Sequence, residues 1–227
     1  MKKILIAYIL LPIVLTDPVN AQETIAAGSF HTIIVSSGIL VQIMRSEQYS
    51  IEINTKEVED KCFINAIENG ILSLKLSSSF DCKGKVVVNI TCPYLKEIEI
   101  MGKAEVSTGN VLSGDSLLIE MRSGGKAYID LDIKYLDARL SGGAMARFEG
   151  YAVKQTIALS TSSTFSGFNL EGDDVSVQAS SNSVAKVNAQ KSIMATAGSG
   201  GYIGIKGNPA EKTLDSKSYG EIEFLTE

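Results

Sequence analysis

The sequence predicts an all-β fold, a parallel β-helix (β-solenoid) with two short strands per coil of about 18-19 residues, capped by an irregular N-terminal β region with a hairpin. Three observations lead to this prediction. Apolar and polar residues alternate with a spacing of two, which is typical of strands. From residue 98 onward, clusters of Gly, Ser, Thr, Ala and Asn interrupt the alternation at steps of 18 to 21 residues. In the N-terminal part, an Asn-Gly dipeptide separates two apolar runs.

The chain begins with a predicted signal peptide, residues 1-21. Lys2 and Lys3 precede the apolar run 4-15, and the small residues that end at Ala21 favour cleavage after Ala21. The apolar run is shorter than the roughly 18 residues that span a bilayer. We therefore expect an exported protein, located in the periplasm, on the outer cell surface or secreted, with no transmembrane segment in the mature chain.

Charge and composition narrow the classes of partner. Without residues 1-21 the chain carries 19 basic and 25 acidic residues, so we expect it to attract neither nucleic acid nor an anionic membrane. Trp is absent and aromatic residues make up 7% of the chain. Since aromatic rings commonly stack on sugars, this composition argues against a glycan ligand but does not exclude one.

Residues 22-97 are expected to form the irregular β cap, in one domain (22-227) with the regular coils of residues 98-227. Asn69-Gly70 lies between two apolar runs and predicts a hairpin, because a type I′ turn needs positive φ at both central residues. Ser36-Ser37-Gly38 separates two further alternating runs and predicts a corner between two strands.

The three cysteines become disulfide candidates once the chain is exported. Counting outward from the hairpin turn places Cys62 opposite Ser77, a few residues from Cys82. Cys92 continues a strand alternation and should point inward. We predict a Cys62-Cys82 disulfide and a buried Cys92 thiol, and three reduced thiols remain an equally weighted alternative.

The repeat predicts columns of stacked inward side chains, because each coil returns the chain to the same place one strand further along. Gly167 interrupts one of these columns, and we expect Phe168 beside it to fill the gap. Before each cluster, the expected buried column is Ile119, Ala138, Ile157, Val175 and Ile193. After each cluster, one column is Ala104, Ala127, Ala146, Phe165, Ala185, Ile203 and Ile222, and the next is Val106, Ile129, Phe148, Gly167, Val187, Ile205 and Phe224.

The small-residue clusters are predicted to be corners of the coils. The sequence Ser123-Gly124-Gly125-Lys126 has a superficial likeness to a phosphate-binding loop. A P-loop is followed by a helix, whereas Lys126 leads into a predicted strand, so we do not interpret it as a P-loop. Tight corners favour residues that accept positive φ. The predicted turn glycines are Gly102, Gly124, Gly125, Gly142, Gly143, Gly200 and Gly201.

One carboxylate pair resembles a catalytic arrangement. Asp130 and Glu149 are expected on one outward face, one coil apart, near the roughly 5 to 5.5 Å of a retaining glycosidase pair. Arg147 lies on the same face, so a solvated ion network is the favoured interpretation. His31, the single histidine, lies in the cap and has no evident partner. We predict no catalytic, cofactor-binding or metal-binding residues.

The chain resembles the autotransporter adhesin head GIN domain family of exported bacterial proteins in three features. These are the pattern "F-x-x-I-x-V-x-x-G" (Phe30, Ile33, Val35, Gly38), the segment "ITCPYLKEIEIMGKAEV" and the Ser/Gly corners. The resemblance covers nearly the whole mature chain. It implies a two-sheet β-helix with glycine-serine turns, occurrence mainly in Gram-negative bacteria, a role in adhesion and no established catalytic residues.

These observations predict an exported, non-enzymatic β-solenoid, an adhesion or binding module or an envelope scaffold that presents a flat sheet to a partner. The expected partner is a glycan, a protein or a second copy of the chain, and no cofactor is expected. The alternative is a carbohydrate-active β-helix enzyme, a polysaccharide hydrolase or lyase that uses Asp130 and Glu149.

Overall fold

A computed structural model describes residues 22-26, 28-54, 62-77 and 84-225. These residues contain seventeen β-strands in one continuous hydrogen-bonded sheet and no α-helix, which confirms the predicted parallel β-solenoid with an irregular N-terminal region. The strands are β1 Gln22–Ala26, β2 Thr32–Val35, β3 Leu40–Arg45, β4 Ser50–Asn54, β5 Phe63–Glu68, β6 Ile71–Leu76, β7 Val87–Cys92, β8 Glu97–Ile100, β9 Glu105–Thr108, β10 Leu112–Met121, β11 Lys126–Leu140, β12 Met145–Leu159, β13 Thr164–Ala179, β14 Val184–Ala197, β15 Tyr202–Lys206, β16 Glu211–Ser216 and β17 Glu221–Phe224.

The coils stack into two opposed faces, which we call the front and rear sheets. The front sheet has the order β5-β6-β2-β8-β10-β11-β12-β13-β14-β16, and the rear sheet has the order β1-β4-β7-β3-β9-β11-β12-β13-β14-β15-β17. Strands β11 to β14 are 14 to 16 residues long and belong to both sheets. In these coils, the two short strands that the sequence predicts are joined through a bend.

Eight corners that lead from the front sheet to the rear sheet each contain two consecutive residues with positive φ. The backbone N–H of Gly124 donates to the carbonyl of Gly142 at 2.9 Å, and that of Gly143 donates to Thr161 at 2.9 Å. The corners are therefore hydrogen-bonded to one another from coil to coil. The pairs are Ser37-Gly38, Gly102-Lys103, Ser123-Gly124, Gly142-Gly143, Thr161-Ser162, Ser181-Asn182, Ser199-Gly200 and Ser218-Tyr219.

The predicted turn glycines occupy two kinds of position. Gly102, Gly124, Gly142, Gly143 and Gly200 have positive φ within these pairs. Gly125 and Gly201 instead follow a pair, at a position where the chain approaches the preceding coil closely. A Cβ on Gly125 would lie 2.7 Å from the carbonyl oxygen of Ile100, so packing, and not the backbone angle, favours glycine there.

The core consists of stacked inward side chains, and their register corrects one predicted column. The predicted column is in register from Ile119 through Ala138 to Ile157. The next residue in this column is Val177, not the predicted Val175. Val175 and Ile193 belong instead to the adjacent column, which contains Gln155. All these residues remain on the inner face of the front sheet. The step from Ile157 to Val177 is 20 residues because β13 contains an extra residue.

The first of the two columns after the corners agrees with the structure from Ala127 onward, whereas the second is in register only from Ile129 to Phe148 and from Val187 to Phe224. Ala127, Ala146, Phe165, Ala185, Ile203 and Ile222 are in register. Before Ala127 the prediction was wrong by two residues, because Val106 and not Ala104 faces Ala127.

The N-terminal part has a threading order that the repeat did not predict. Strand β2 lies between β6 and β8, and β3 lies between β7 and β9. The coil built from residues 32-45 is thus inserted between coils that follow it in sequence. The side chains of Val35 and Val41 in this coil are only 0% and 3% exposed, so the coil is an interior part of the solenoid.

The predicted hairpin is confirmed. Strands β5 and β6 are antiparallel around Asn69 and Gly70, whose φ angles are 52° and 78°. The carbonyl of Cys62 accepts a hydrogen bond from the N–H of Ser77 at 2.7 Å. Cys62 is buried and disulfide-bonded. Cys82 lies outside the described residues, so the pairing of Cys62 with Cys82 stays a prediction, as does cleavage after Ala21.

Cys92 is a free, buried thiol. Its side chain points into the core from β7, and burial raises the pKa of this thiol to about 12. The thiol is therefore protonated at neutral pH, and it contributes as a small apolar side chain.

The C-terminal end of the solenoid is closed by polar and aromatic residues at inward positions. Lys212 is in register with the buried Ile193 of the preceding coil. Its Nζ lies 4.6 Å from the ring centroid of Phe224 on the opposite sheet. An inward-pointing lysine on an edge strand opposes pairing with another strand edge. The last coil therefore has the character of a capping repeat.

Candidate functional site

The outer faces of the two sheets carry the candidate functional residues. One outward column on the rear sheet is in register from coil to coil. It consists of Tyr128, Arg147, Ser166, Lys186, Gly204 and Glu223.

Asp130 and Glu149 face each other on β11 and β12, as the sequence predicted. Strand alternation predicts Phe168 as the next residue of this outward column, but Asn169 occupies the position because β13 contains an extra residue. Arg147 binds Glu149, with Nη2 2.9 Å and Nε 3.0 Å from Oε1, and Asn169 Nδ2 lies 3.4 Å from the same oxygen. Asp130 is exposed, and its backbone N–H donates to the Thr108 hydroxyl at 3.0 Å. This arrangement supports the ion-network interpretation of the pair.

His31 packs beside the hairpin turn. Its Nδ1 lies 3.1 Å from the Thr32 hydroxyl, and its ring occupies the space next to Gly70, where a Cβ would lie 2.8 Å from Nε2. The contact gives His31 a structural role at the turn between β5 and β6.

A long groove on the front sheet was not predicted from the sequence. It has a volume of about 530 Å³ and crosses five successive coils, from β10 to β14, beside the corners. With a spacing of about 4.8 Å between coils, it is roughly 19 Å long. Its outward-facing lining residues are Glu120, Arg122, Arg139, Ser141, Ala158, Ser160, Gln178, Ser180, Thr196 and Gly198.

The groove changes character along its length. At the β10-β11 end, Arg139 pairs with Asp137 at 2.6 Å and with Glu120 at 3.3 Å, and Arg122 also pairs with Glu120. From β12 onward the lining is neutral, with hydroxyl and amide groups around the small side chain of Ala158. The groove thus combines an ionic end with a neutral stretch in which hydroxyl and amide side chains lie beside apolar surface.

Three carboxylates, those of Glu97, Glu99 and Glu120, lie close together at the ionic end of the groove. Burial raises the pKa of the Glu99 carboxyl above its usual range, and repulsion from Glu97 and Glu120 raises it further, while Arg122 opposes the shift. The cause is local crowding of like charges on a partly buried column. The two arginines therefore stabilise neighbouring carboxylates within the sheet.

A second, shallow pocket of about 280 Å³ lies on the rear sheet. It is lined by Arg147, Phe148, Ser166, Phe168, Asn169 and Lys186. Strand alternation placed Arg147, Ser166 and Lys186 in one outward column and Phe168 in the next, but it gave no sign that these residues would line a pocket.

Within the described residues, no group of three or more His, Cys, Asp or Glu side chains is arranged to hold a metal ion. Over the same part of the chain, no helix has the length and apolar character that crossing a membrane requires.

The fold and its faces define a parallel β-solenoid with an open groove on the front sheet and a shallow pocket on the rear sheet. The chain matches the family model described as "Putative auto-transporter adhesin, head GIN domain" over residues 29-209, and it belongs to that family. Membership implies an exported or surface protein.

Several solved structures share the fold. A "putative adhesin" from Bacteroides fragilis NCTC 9343 is 22% identical, with a TM-score of 0.82, and the alignment covers 90% of this chain and 96% of that chain. A "putative adhesin" from Parabacteroides merdae ATCC 43184 is 18% identical, with a TM-score of 0.71 and coverage of 91% and 96%. A "putative lipid binding protein" from Parabacteroides distasonis ATCC 8503 is 14% identical, with a TM-score of 0.72 and coverage of 90% and 96%. No curated protein matches the chain.

Proposed function

We propose that this protein is an exported, non-enzymatic adhesion or binding module that engages an extended partner along the front sheet. The observation that carries the proposal is the groove across five coils, which is lined by hydroxyl and amide side chains together with apolar surface. An open groove of this length fits a polymer that lies along the solenoid axis. The adhesin family and the predicted signal peptide support a location outside the cytoplasm.

The partner is a glycan chain or a protein segment, and the neutral lining favours one that is rich in hydrogen-bonding groups. Gln178 and Thr196 face each other on neighbouring coils, so their side chains repeat at about 4.8 Å. A ligand with regularly spaced polar groups gains a contact at every coil. Repetition of weak contacts is how a flat surface acquires useful affinity.

The test uses residues 22-227 on arrays of polysaccharides and of immobilised mucin, collagen and fibronectin. Ala158→Glu fills the groove and brings a carboxylate next to Arg139, which faces residue 158 on the adjacent coil. The control is Thr164→Glu, which adds the same charge on the rear sheet. We expect wild type and the control to bind a common probe and Ala158→Glu to lose at least tenfold in affinity. Equal binding by all three proteins, or no binding to any probe, would refute the proposal.

A further inference from the structure

The rear-sheet pocket exists because β13 is irregular. Arg147 faces Ser166 and Glu149 faces Asn169, so residues 167 and 168 together oppose Phe148. This is a β-bulge, a feature that often re-aims a side chain next to a functional site.

The bulge turns an aromatic ring outward. Gly167 is buried, and the ring of Phe165 occupies the space where a Cβ on residue 167 would lie. Phe165 in turn packs against Phe148, with ring centroids 5.4 Å apart. The expectation that Phe168 fills the gap at Gly167 was therefore wrong, because Phe165 fills it and Phe168 is left partly exposed on the outer face.

Two cations flank this ring. Lys186 Nζ lies 5.6 Å from the Phe168 ring centroid, and Arg147 stands on the other side of Ser166 in the same register. Among the described residues, no carboxylate lies within ion-pair distance of Lys186, whereas Arg147 is held by Glu149. The site thus contains a lysine whose charge is not neutralised by a neighbour.

We propose that Lys186, Phe168, Ser166 and Arg147 form a binding site for a carboxylate-bearing sugar. The two cations and Glu149 leave a net charge of one positive unit, which matches a singly charged carboxylate better than a doubly charged phosphate. Phe168 offers an apolar ring face for the C–H face of a sugar. The Ser166 hydroxyl and the Asn169 amide lie beside it and can bond sugar hydroxyls.

This site is distinct from the front-sheet groove, and the two proposals can fail separately. The groove lies on the opposite sheet, so Ala158→Glu should leave binding of an acidic sugar unchanged. If the wild type binds an acidic sugar and Ala158→Glu weakens binding of no probe, only the proposed function is refuted. If Ala158→Glu weakens binding of a front-sheet probe and no acidic sugar binds, only this site is refuted.

The experiment measures binding of residues 22-227 to two pairs of probes by calorimetry. The first pair is an oligogalacturonate and its methyl ester, and the second is sialyllactose and lactose. We expect at least one acidic probe to bind at least tenfold more tightly than its neutral partner, with affinity that falls as salt is added.

Variants assign the binding to the site. Lys186→Gln should weaken acidic-sugar binding at least tenfold, and Phe168→Ala should weaken it about fivefold. The matched control is Lys154→Gln, because Lys154 also lies over an aromatic ring, 6.0 Å from the Tyr135 centroid. That control should change affinity less than twofold. Equal binding of acidic and neutral probes, equal effects of Lys186→Gln and Lys154→Gln, or no binding at millimolar concentration would overturn the proposal.

Discussion

At the scale of single residues, the corners require backbone angles that most side chains disfavour. Gly142 and Gly143 have φ angles of 63° and 74°, while the equivalent pair in the next coil is Thr161-Ser162, with φ angles of 56° and 58°. Non-glycine residues can therefore occupy these corners, at a cost that the stacked backbone hydrogen bonds offset.

Gly143→Val should destabilise the fold by about 1 to 3 kcal/mol, because a β-branched residue is strained at positive φ. Nothing lies within 4 Å of the position of a Cβ on Gly143, so steric overlap does not contribute. Gly143→Asn is the control, since Asn182 occupies the equivalent place two coils later with a φ of 60°. Urea denaturation measures both. Equal stability of the Val and Asn variants would show that the backbone angle is not the cause.

A second residue-scale feature is the buried amide of Gln155. It is 2% exposed and lies in a column between Leu136 and Val175. Its Nε2 donates to the Leu170 carbonyl at 3.4 Å, but its Oε1 has no hydrogen-bond partner. A buried acceptor without a partner costs free energy.

Gln155→Leu should therefore stabilise the protein by about 1 kcal/mol, because it replaces an unpaired polar group with an apolar side chain in an apolar column. Thermal unfolding should show a higher midpoint for this variant. Gln178→Leu, on the outer face of the front sheet, is the control and should give no gain. A lower midpoint for Gln155→Leu would mean that the amide makes a stabilising contact in solution.

At the scale of strands, the sequence predicted the coils well wherever their spacing was regular. The columns Ile119-Ala138-Ile157 and Ala127-Ala146-Phe165 follow directly from alternation and period. The error between Ile157 and Val175 arose at the bulge in β13, since an extra residue shifts the register without changing the kinds of residue that follow. Alternation placed Phe168 on the outer face, but the bulge moves it out of register with Glu149, so the arrangement of the rear-sheet pocket could not be predicted.

The threading of β2 and β3 was also beyond sequence analysis. Their apolar alternation fits any place in either sheet, and only contacts with β6, β7, β8 and β9 decide where they lie. The front-sheet groove was missed for a related reason. Small polar residues at outward positions predict a solvated face, and they do not indicate how neighbouring coils shape it.

Hydrogen exchange tests the threading. The amides of β2 and β3 should exchange as slowly as those of β12, because each strand is hydrogen-bonded between two neighbours inside the sheet. Strand β17, at the C-terminal edge of the rear sheet, should exchange much faster. If β2 exchanged as fast as β17, the coil of residues 32-45 would not lie inside the stack.

At the scale of the whole molecule, the solenoid presents two outer sheets, and each offers one candidate site. The front-sheet groove combines an ionic end with a neutral floor. The rear sheet carries the Phe168 pocket and, on neighbouring coils, the facing pair Asp130 and Glu149. Whether the molecule binds glycans or cleaves them depends on this last pair, because a hydrolase needs one carboxyl that remains protonated near the scissile bond.

The most direct test of the central claim is to incubate residues 22-227 and the double variant Asp130→Asn/Glu149→Gln with acidic and neutral polysaccharides. Both the bound fraction and the chain length of each polysaccharide are measured. The structure pairs Glu149 with Arg147 and leaves Asp130 exposed on the outer face, whereas the acid of a glycosidase lies in an apolar, enclosed site. We predict equal binding by both proteins and unchanged chain length. Shortening of a polysaccharide by the wild type, lost in the double variant, would contradict the account and establish the enzyme instead.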